Sequence, residues 1–142
     1  ITVKTVDGGL KAACTVSVNV PVTDISAPAE KTFYVGQKTS LGITTVPAGA
    51  TNRAISYTIA DPSIATISSS GEIEPLKNGM TSVTAKTAEG GFSKTMRIIV
   101  ETKVTGITLD KKELKLGVGD TQRLIASVAP TTATNKKVLL AR

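Results

Sequence analysis

Histidine and tryptophan do not occur in this sequence, cysteine occurs once, and aromatic residues make up only 3% of its 142 positions. Without histidine, the commonest general base near neutral pH and the commonest neutral metal ligand are both missing. Serine or cysteine triads in their usual form are thereby excluded. Cys14 alone can build neither an intrachain disulfide nor a thiolate metal cluster. No apolar run approaches the ~18 residues of a membrane-spanning helix, and no basic segment followed by an apolar one opens the chain. No membrane insertion is expected, and any export signal or anchor is expected outside this stretch. With so few aromatic side chains, a core has to be built from Val, Ile, Leu and Ala, which suits thin sheets packed face to face.

Lys and Arg number 17 against 11 Asp and Glu, a formal net charge of +6. Such an excess attracts anionic surfaces in general. Its placement points elsewhere: the basic residues stand singly or in pairs, as at Lys111-Lys112 and Lys136-Lys137, and are scattered over the whole chain. They read as solvated sheet faces and as edges protected against aggregation. Specific nucleic-acid binding, which couples a basic surface to stacking aromatics, is not expected.

What the sequence does contain is internal similarity. Val3-Lys4-Thr5-Val6-Asp7-Gly8-Gly9 reappears as Ala85-Lys86-Thr87-Ala88-Glu89-Gly90-Gly91, and the match runs on without a gap to Val22-Thr23-Asp24-Ile25 against Val104-Thr105-Gly106-Ile107. After one inserted residue the register holds again, with Val35-Gly36-Gln37 against Val118-Gly119-Asp120 and Pro47 against Pro130. This spacing predicts three parts: residues 1–21 as the C-terminal strands of one repeat, 22–103 as a complete repeat, and 104–142 as the N-terminal strands of a following one.

Within the complete repeat, short β-prone runs alternate with turn signals, as in an all-β sandwich. Strands are expected at Thr23–Ile25, Lys31–Val35, Thr39–Val46, Ile55–Ile59, Ile64–Ser68, Glu72–Pro75, Thr81–Ala88 and Phe92–Glu101, and no segment reads as a helix. The two-residue alternation puts Met96, Ile98 and Val100 on one face. Cys14 occupies the position that corresponds to Met96, so its thiol is expected on a core face, packed rather than reactive. Asp7-Gly8-Gly9 and Glu89-Gly90-Gly91 fit hairpins, because positive φ is least costly for glycine.

An ordered series of residues resembles the bacterial immunoglobulin-like group 2 domain: Val22-Thr23-Asp24-Ile25, Val35-Gly36, Val46-Pro47, Asp61-Pro62-Ser63-Ile64-Ala65-Thr66-Ile67, Gly71-Glu72-Ile73, Gly79, Val83-Thr84-Ala85 and Ile98-Ile99-Val100. The resemblance covers the whole chain, with Tyr57 where that family usually carries tryptophan. It implies an all-β, immunoglobulin-like β-sandwich, with one complete repeat flanked by two partial ones. Strands at both ends would then want partners, and they are expected to be disordered or paired with another chain.

The role implied by the resemblance is that of a non-catalytic spacer in a bacterial cell-surface or adhesin protein, presenting distal binding domains. A phage virion module, in a tail, head fibre or decoration protein and assisting adsorption to the cell envelope, is the alternative. A weak carbohydrate-binding module is a second alternative. The implied location is extracellular, at the cell surface or wall, or on the virion. The implied partners are neighbouring immunoglobulin-like repeats in the same or another chain, with cell-surface glycans or host proteins as ligands of the outermost module.

Chemistry beyond this has little to stand on. Paired carboxylates for glycosidic work would have to come from Asp61, Glu72, Glu74 and Glu89, each in a turn or strand-edge context. Asp24, Asp61, Asp110 and Asp120 are too dispersed to form an acidic calcium loop. Sugar platforms need exposed aromatics, and Phe33, Tyr34, Tyr57 and Phe92 are better used in the core. Neither a catalytic residue nor a metal or cofactor ligand is assigned, and no cofactor is expected.

Overall fold

The computed structural model describes residues 1–141, and every regular element in that range is a β-strand. The central part carries nine of them: β3 (Asp24–Ser26), β4 (Glu30–Tyr34), β5 (Thr39–Ser40), β6 (Thr44–Val46), β7 (Ile55–Ile59), β8 (Ala65–Ile67), β9 (Glu72–Pro75), β10 (Gly79–Thr87) and β11 (Ser93–Glu101). Two short strands precede them, β1 (Thr2–Lys4) and β2 (Lys11–Ala13), and two follow, β12 (Gly106–Leu109) and β13 (Ala126–Ala129).

One layer of the central part is a four-stranded sheet in the order β4-β11-β10-β7. Its edge strand β4 lies parallel to β11, with Phe33 opposite Val100, whereas β10 pairs antiparallel with both its neighbours. The facing layer consists of β5-β9-β8 and the pair β3-β6. Side chains from both layers meet in one apolar cluster that includes Ile25, Phe33, Leu41, Ile43, Ala65, Ile73, Val83, Ala85, Met96, Ile98 and Val100. Two layers whose inner faces share a single core are a β-sandwich, here with an immunoglobulin-like strand arrangement.

Alternation produces that core directly. Along β11, Met96, Ile98 and Val100 are buried, Arg97 is exposed, and Ile99 is half-covered. Lys94 shares the parity of Met96, yet it lies beyond the covered part of the face and turns to Asp24, 3.4 Å away. Along β10 the inward positions are Thr81, Val83, Ala85 and Thr87. The two buried threonines are satisfied locally: the Thr81 hydroxyl accepts the Asp61 N–H at 3.0 Å, and the Thr87 hydroxyl accepts the Phe92 N–H at 3.0 Å while donating to the Glu89 carbonyl at 2.8 Å.

The expected strand Thr39–Val46 is divided. Leu41 and Ile43 both point inward, but between them Gly42 has φ +75° and breaks the ladder. Before the break β5 pairs with β9; after it β6 pairs with β3. One run of sequence thus serves two partners in the same layer.

Each end of the chain carries one pair of short strands. β1 and β2 form a hairpin whose register, Val3 opposite Ala12, corresponds residue for residue to Ala85 opposite Lys94 in β10 and β11. Its turn is closed as in the later hairpin: the Thr5 hydroxyl accepts the Leu10 N–H at 2.9 Å and donates to the Asp7 carbonyl at 2.6 Å. Gly8 and Gly9 carry φ +73° and +64°, against +76° and +65° for Gly90 and Gly91. The ribbon β12-β13 sets Gly106 opposite Ala129, as β3-β6 sets Asp24 opposite Val46.

Part of each end segment is paired within the chain, β1 with β2 and β12 with β13. One expectation for the end segments is corrected. Cys14, expected on a core face beside the buried Met96 type of position, is exposed. Residues 1–21 are exposed throughout, so among the described residues no second sheet covers the face that bears the thiol.

Candidate functional site

The four carboxylates singled out in the sequence are set to separate tasks. Asp61 closes the turn between β7 and β8: its Oδ1 accepts the Ser63 hydroxyl at 2.6 Å and the Ser63 N–H at 2.9 Å. These two bonds favour the ionised form and hold the Asp61 carboxyl below its usual value, with a smaller contribution from Lys77. Glu74 faces Lys38 across 3.1 Å, and Glu72 is exposed on the same strand. Glu89 lies in the turn that joins β10 to β11, where its Oε2 is covered from solvent without a hydrogen-bond partner. Among the described residues, no three Asp, Glu or Cys side chains converge as metal ligands would.

Asp24 and Lys94 form the surface pair that ties β3 to β11. The Asp24 carboxyl is held below its usual value first by the Ile25 N–H, 2.7 Å from Oδ1, and then by the Lys94 ammonium. Arg97 reaches Glu30 at 3.9 Å on the neighbouring strand. Lys94 and Arg97 are therefore engaged in exposed cross-strand pairs, which add little to stability.

The aromatic residues are largely covered. Phe33 is buried; Tyr34, Tyr57 and Phe92 are half-buried, and Phe92 leans over Gly90. Burial also pushes the Tyr57 phenol above its usual pKa. Tyr57 contributes one wall of an open cleft of about 530 Å³ whose rim carries Arg53, Ser69 and Ser70. A row of coplanar exposed rings, the usual sugar platform, is not formed by these four side chains.

The most constructed polar arrangement lies where the central sandwich meets the segment after it. Asn78, in the turn before β10, donates its side-chain amide to the Thr132 carbonyl at 2.6 Å and accepts the Thr102 hydroxyl on its amide oxygen. The Thr102 N–H donates to the Thr134 hydroxyl at 2.9 Å, and the Thr134 N–H returns to the Thr102 carbonyl at 2.9 Å. Val35, Leu76 and Pro130 line a cleft of about 530 Å³ around them. The Lys103 ammonium sits 4.1 Å from the centre of the Tyr34 ring, which fixes the connecting segment to β4.

No motif scan anticipates this cluster, because Asn78 and Thr132 are 54 residues apart. The only sequence signal was the shared register of Pro47 with Pro130. At the opposite end of the sandwich the corresponding residues repeat the arrangement: the Val20 N–H donates to the Thr51 hydroxyl at 2.9 Å, and the Thr51 N–H to the Val20 carbonyl at 2.9 Å. Such an arrangement holds segments together; it presents no nucleophile and no paired acid and base.

Comparison with known proteins agrees with the architecture. The profile of the bacterial Ig-like domain (group 2) matches residues 19–98, more than half of the 142-residue chain. An Ig-like virion protein of Serratia phage KSP90 is 32% identical over 105 residues, covering 70% of this chain and 41% of the phage protein. An uncharacterized protein of Clostridium acetobutylicum is 30% identical over 110 residues, covering 77% of this chain and 11% of that protein. The chain thus spans less than half the length of either relative.

Proposed function

Since the chain belongs to the bacterial Ig-like domain (group 2) family, we propose that it is a non-catalytic structural spacer, made of consecutive Ig-like modules in an extracellular or virion-surface protein. One observation carries this reading. The hydrogen-bond pair that joins Val20 to Thr51 is repeated between Thr102 and Thr134, so the two ends of the sandwich are connected in the same way. Pairing registers that coincide between β1-β2 and β10-β11, and between β3-β6 and β12-β13, support the division into residues 1–21, 22–103 and 104–142. A spacer needs closed cores and defined connections rather than a reactive pocket.

Between the two settings for such a spacer, the virion surface is favoured by the phage relative, whose description is that of an Ig-like virion protein. A wall or adhesin protein of the bacterial surface is the alternative setting. In both, the ligands are met by more distal domains, with glycans or proteins of a cell surface as their class.

Immunogold electron microscopy with an antibody to this sequence, applied to the culture that produces it, tests the reading. Label on released phage particles is the expected result. Label on the cell envelope would move the module to the cell-surface setting, and label confined to the cell interior would overturn the spacer reading altogether.

A further inference from the structure

We propose that Asn78 locks a rigid joint between consecutive modules, and that the surface it engages is the turn at residues 130–135 of the next module. The inference rests on the reading of the chain as consecutive spacer modules. It goes further by naming the contact that sets their relative angle.

The joint has a recurring part and an added part. The recurring part is a clip on a single residue of the incoming chain, Val20 at one end and Thr102 at the other, whose N–H and carbonyl both bond to one threonine of the receiving turn. That turn is built alike in both places. The Ala50 N–H donates to the Pro47 carbonyl and the Ala133 N–H to the Pro130 carbonyl, both at 3.0 Å, and each alanine is 4% exposed. The next side chain closes the loop in the same manner, with the Asn52 Oδ1 accepting the Ala54 N–H at 3.1 Å and the Asn135 Oδ1 accepting the Lys137 N–H at 3.0 Å.

Two hydrogen bonds on one residue fix its position but leave a hinge axis through that residue. A third contact away from the axis removes the remaining rotation. Asn78 supplies it: the residue belongs to the sandwich, through the turn between β9 and β10, and its amide reaches the Thr132 carbonyl of the following segment. Its amide oxygen simultaneously takes the Thr102 hydroxyl, so sandwich, connector and receiving turn are bonded to one planar side-chain amide. Asparagine has both the donor and the acceptor that this requires. Asn78 is half-buried beside Leu76, Val35 and Pro130.

The test uses the whole chain with Cys14→Ser and two introduced thiols, Lys86→Cys on the sandwich and Ser127→Cys on β13, both at exposed positions. Nitroxide labels on them report the distribution of inter-module distances by pulsed electron spin resonance. A single narrow distribution is expected, widening about twofold in Asn78→Ala, which returns the pair to the ordinary freedom of linked domains. Thr134→Val is the second variant, because it lies outside the sandwich and removes one of the two bonds of the clip, that from the Thr102 N–H to the Thr134 hydroxyl, without touching the core. It too should widen the distribution while the melting temperature of the sandwich stays in place. A broad distribution in the unsubstituted chain, or widths unchanged in both variants, would overturn the joint; neither result would alter where the antibody label falls, so the spacer reading is judged separately.

Discussion

The phenol of Tyr57 lies directly over the α-carbon of Gly71: a Cβ built on that glycine would stand 2.6 Å from the Tyr57 hydroxyl oxygen and 2.8 Å from its Cζ. Gly71 also carries φ +79°, in the turn that joins β8 to β9. The ring that stands where the family usually has tryptophan therefore depends on the absence of a side chain in the opposite layer.

Gly71→Ala is accordingly expected to cost about 1–3 kcal/mol, from the left-handed backbone together with the clash. Tyr57→Phe alone should change stability by less than about 0.5 kcal/mol, since it retains the half-buried ring and removes only its hydroxyl. Chemical denaturation of Gly71→Ala, of Tyr57→Leu, which removes the ring that phenylalanine keeps, and of the two together measures the coupling. Additive losses would show that the contact is not what makes Gly71 necessary.

Ile98 and Lys94 share a strand and a face but not an environment. Ile98 is 0% exposed, so Ile98→Ala should cost about 2–5 kcal/mol through lost transfer energy and the cavity left behind. Lys94→Ala removes only the exposed pair with Asp24 and should leave stability nearly unchanged. Equal melting temperatures for the two would contradict the burial of the β11 inner face.

Acid should weaken the turn between β7 and β8. The Asp61 carboxyl is held below 3.8 by its bonds from Ser63, so its ionised form is favoured in the folded chain more than in the unfolded one. The stabilisation is therefore complete above the unfolded value and is lost as pH falls below about 4 through the folded one. Asp61→Asn should flatten that part of the stability profile, while NMR titration of the unsubstituted protein should find Asp61 titrating below an unperturbed aspartate.

Cys14 should react fully with a maleimide in the folded chain, without denaturant, as an exposed thiol does. In a longer chain that supplies a covering sheet over β1-β2, the same thiol should be protected. Protection in the present chain would mean that its hairpin packs against something else.

The alternation of apolar residues determined which side chains point inward, because successive residues on a strand face opposite ways whatever the neighbours are. Hence Met96, Ile98 and Val100 were legible, as were the glycine turns, where only positive φ closes the hairpin. The internal similarity of the sequence was legible too, and the pairing register of β1-β2 coincides with that of β10-β11. Which strand lies beside which was not. The division of Thr39–Val46 between β9 and β3, and the parallel seat of β4 on β11, follow from backbone hydrogen bonds that every sequence offers alike. Asn78, the residue that ties the sandwich to the next segment, looked like any turn asparagine until the tertiary structure brought Thr102 and Thr132 to its two ends. The exposure of Cys14 was decided in the same way, for a position in an alternating strand names a face, and only a second sheet makes that face an interior.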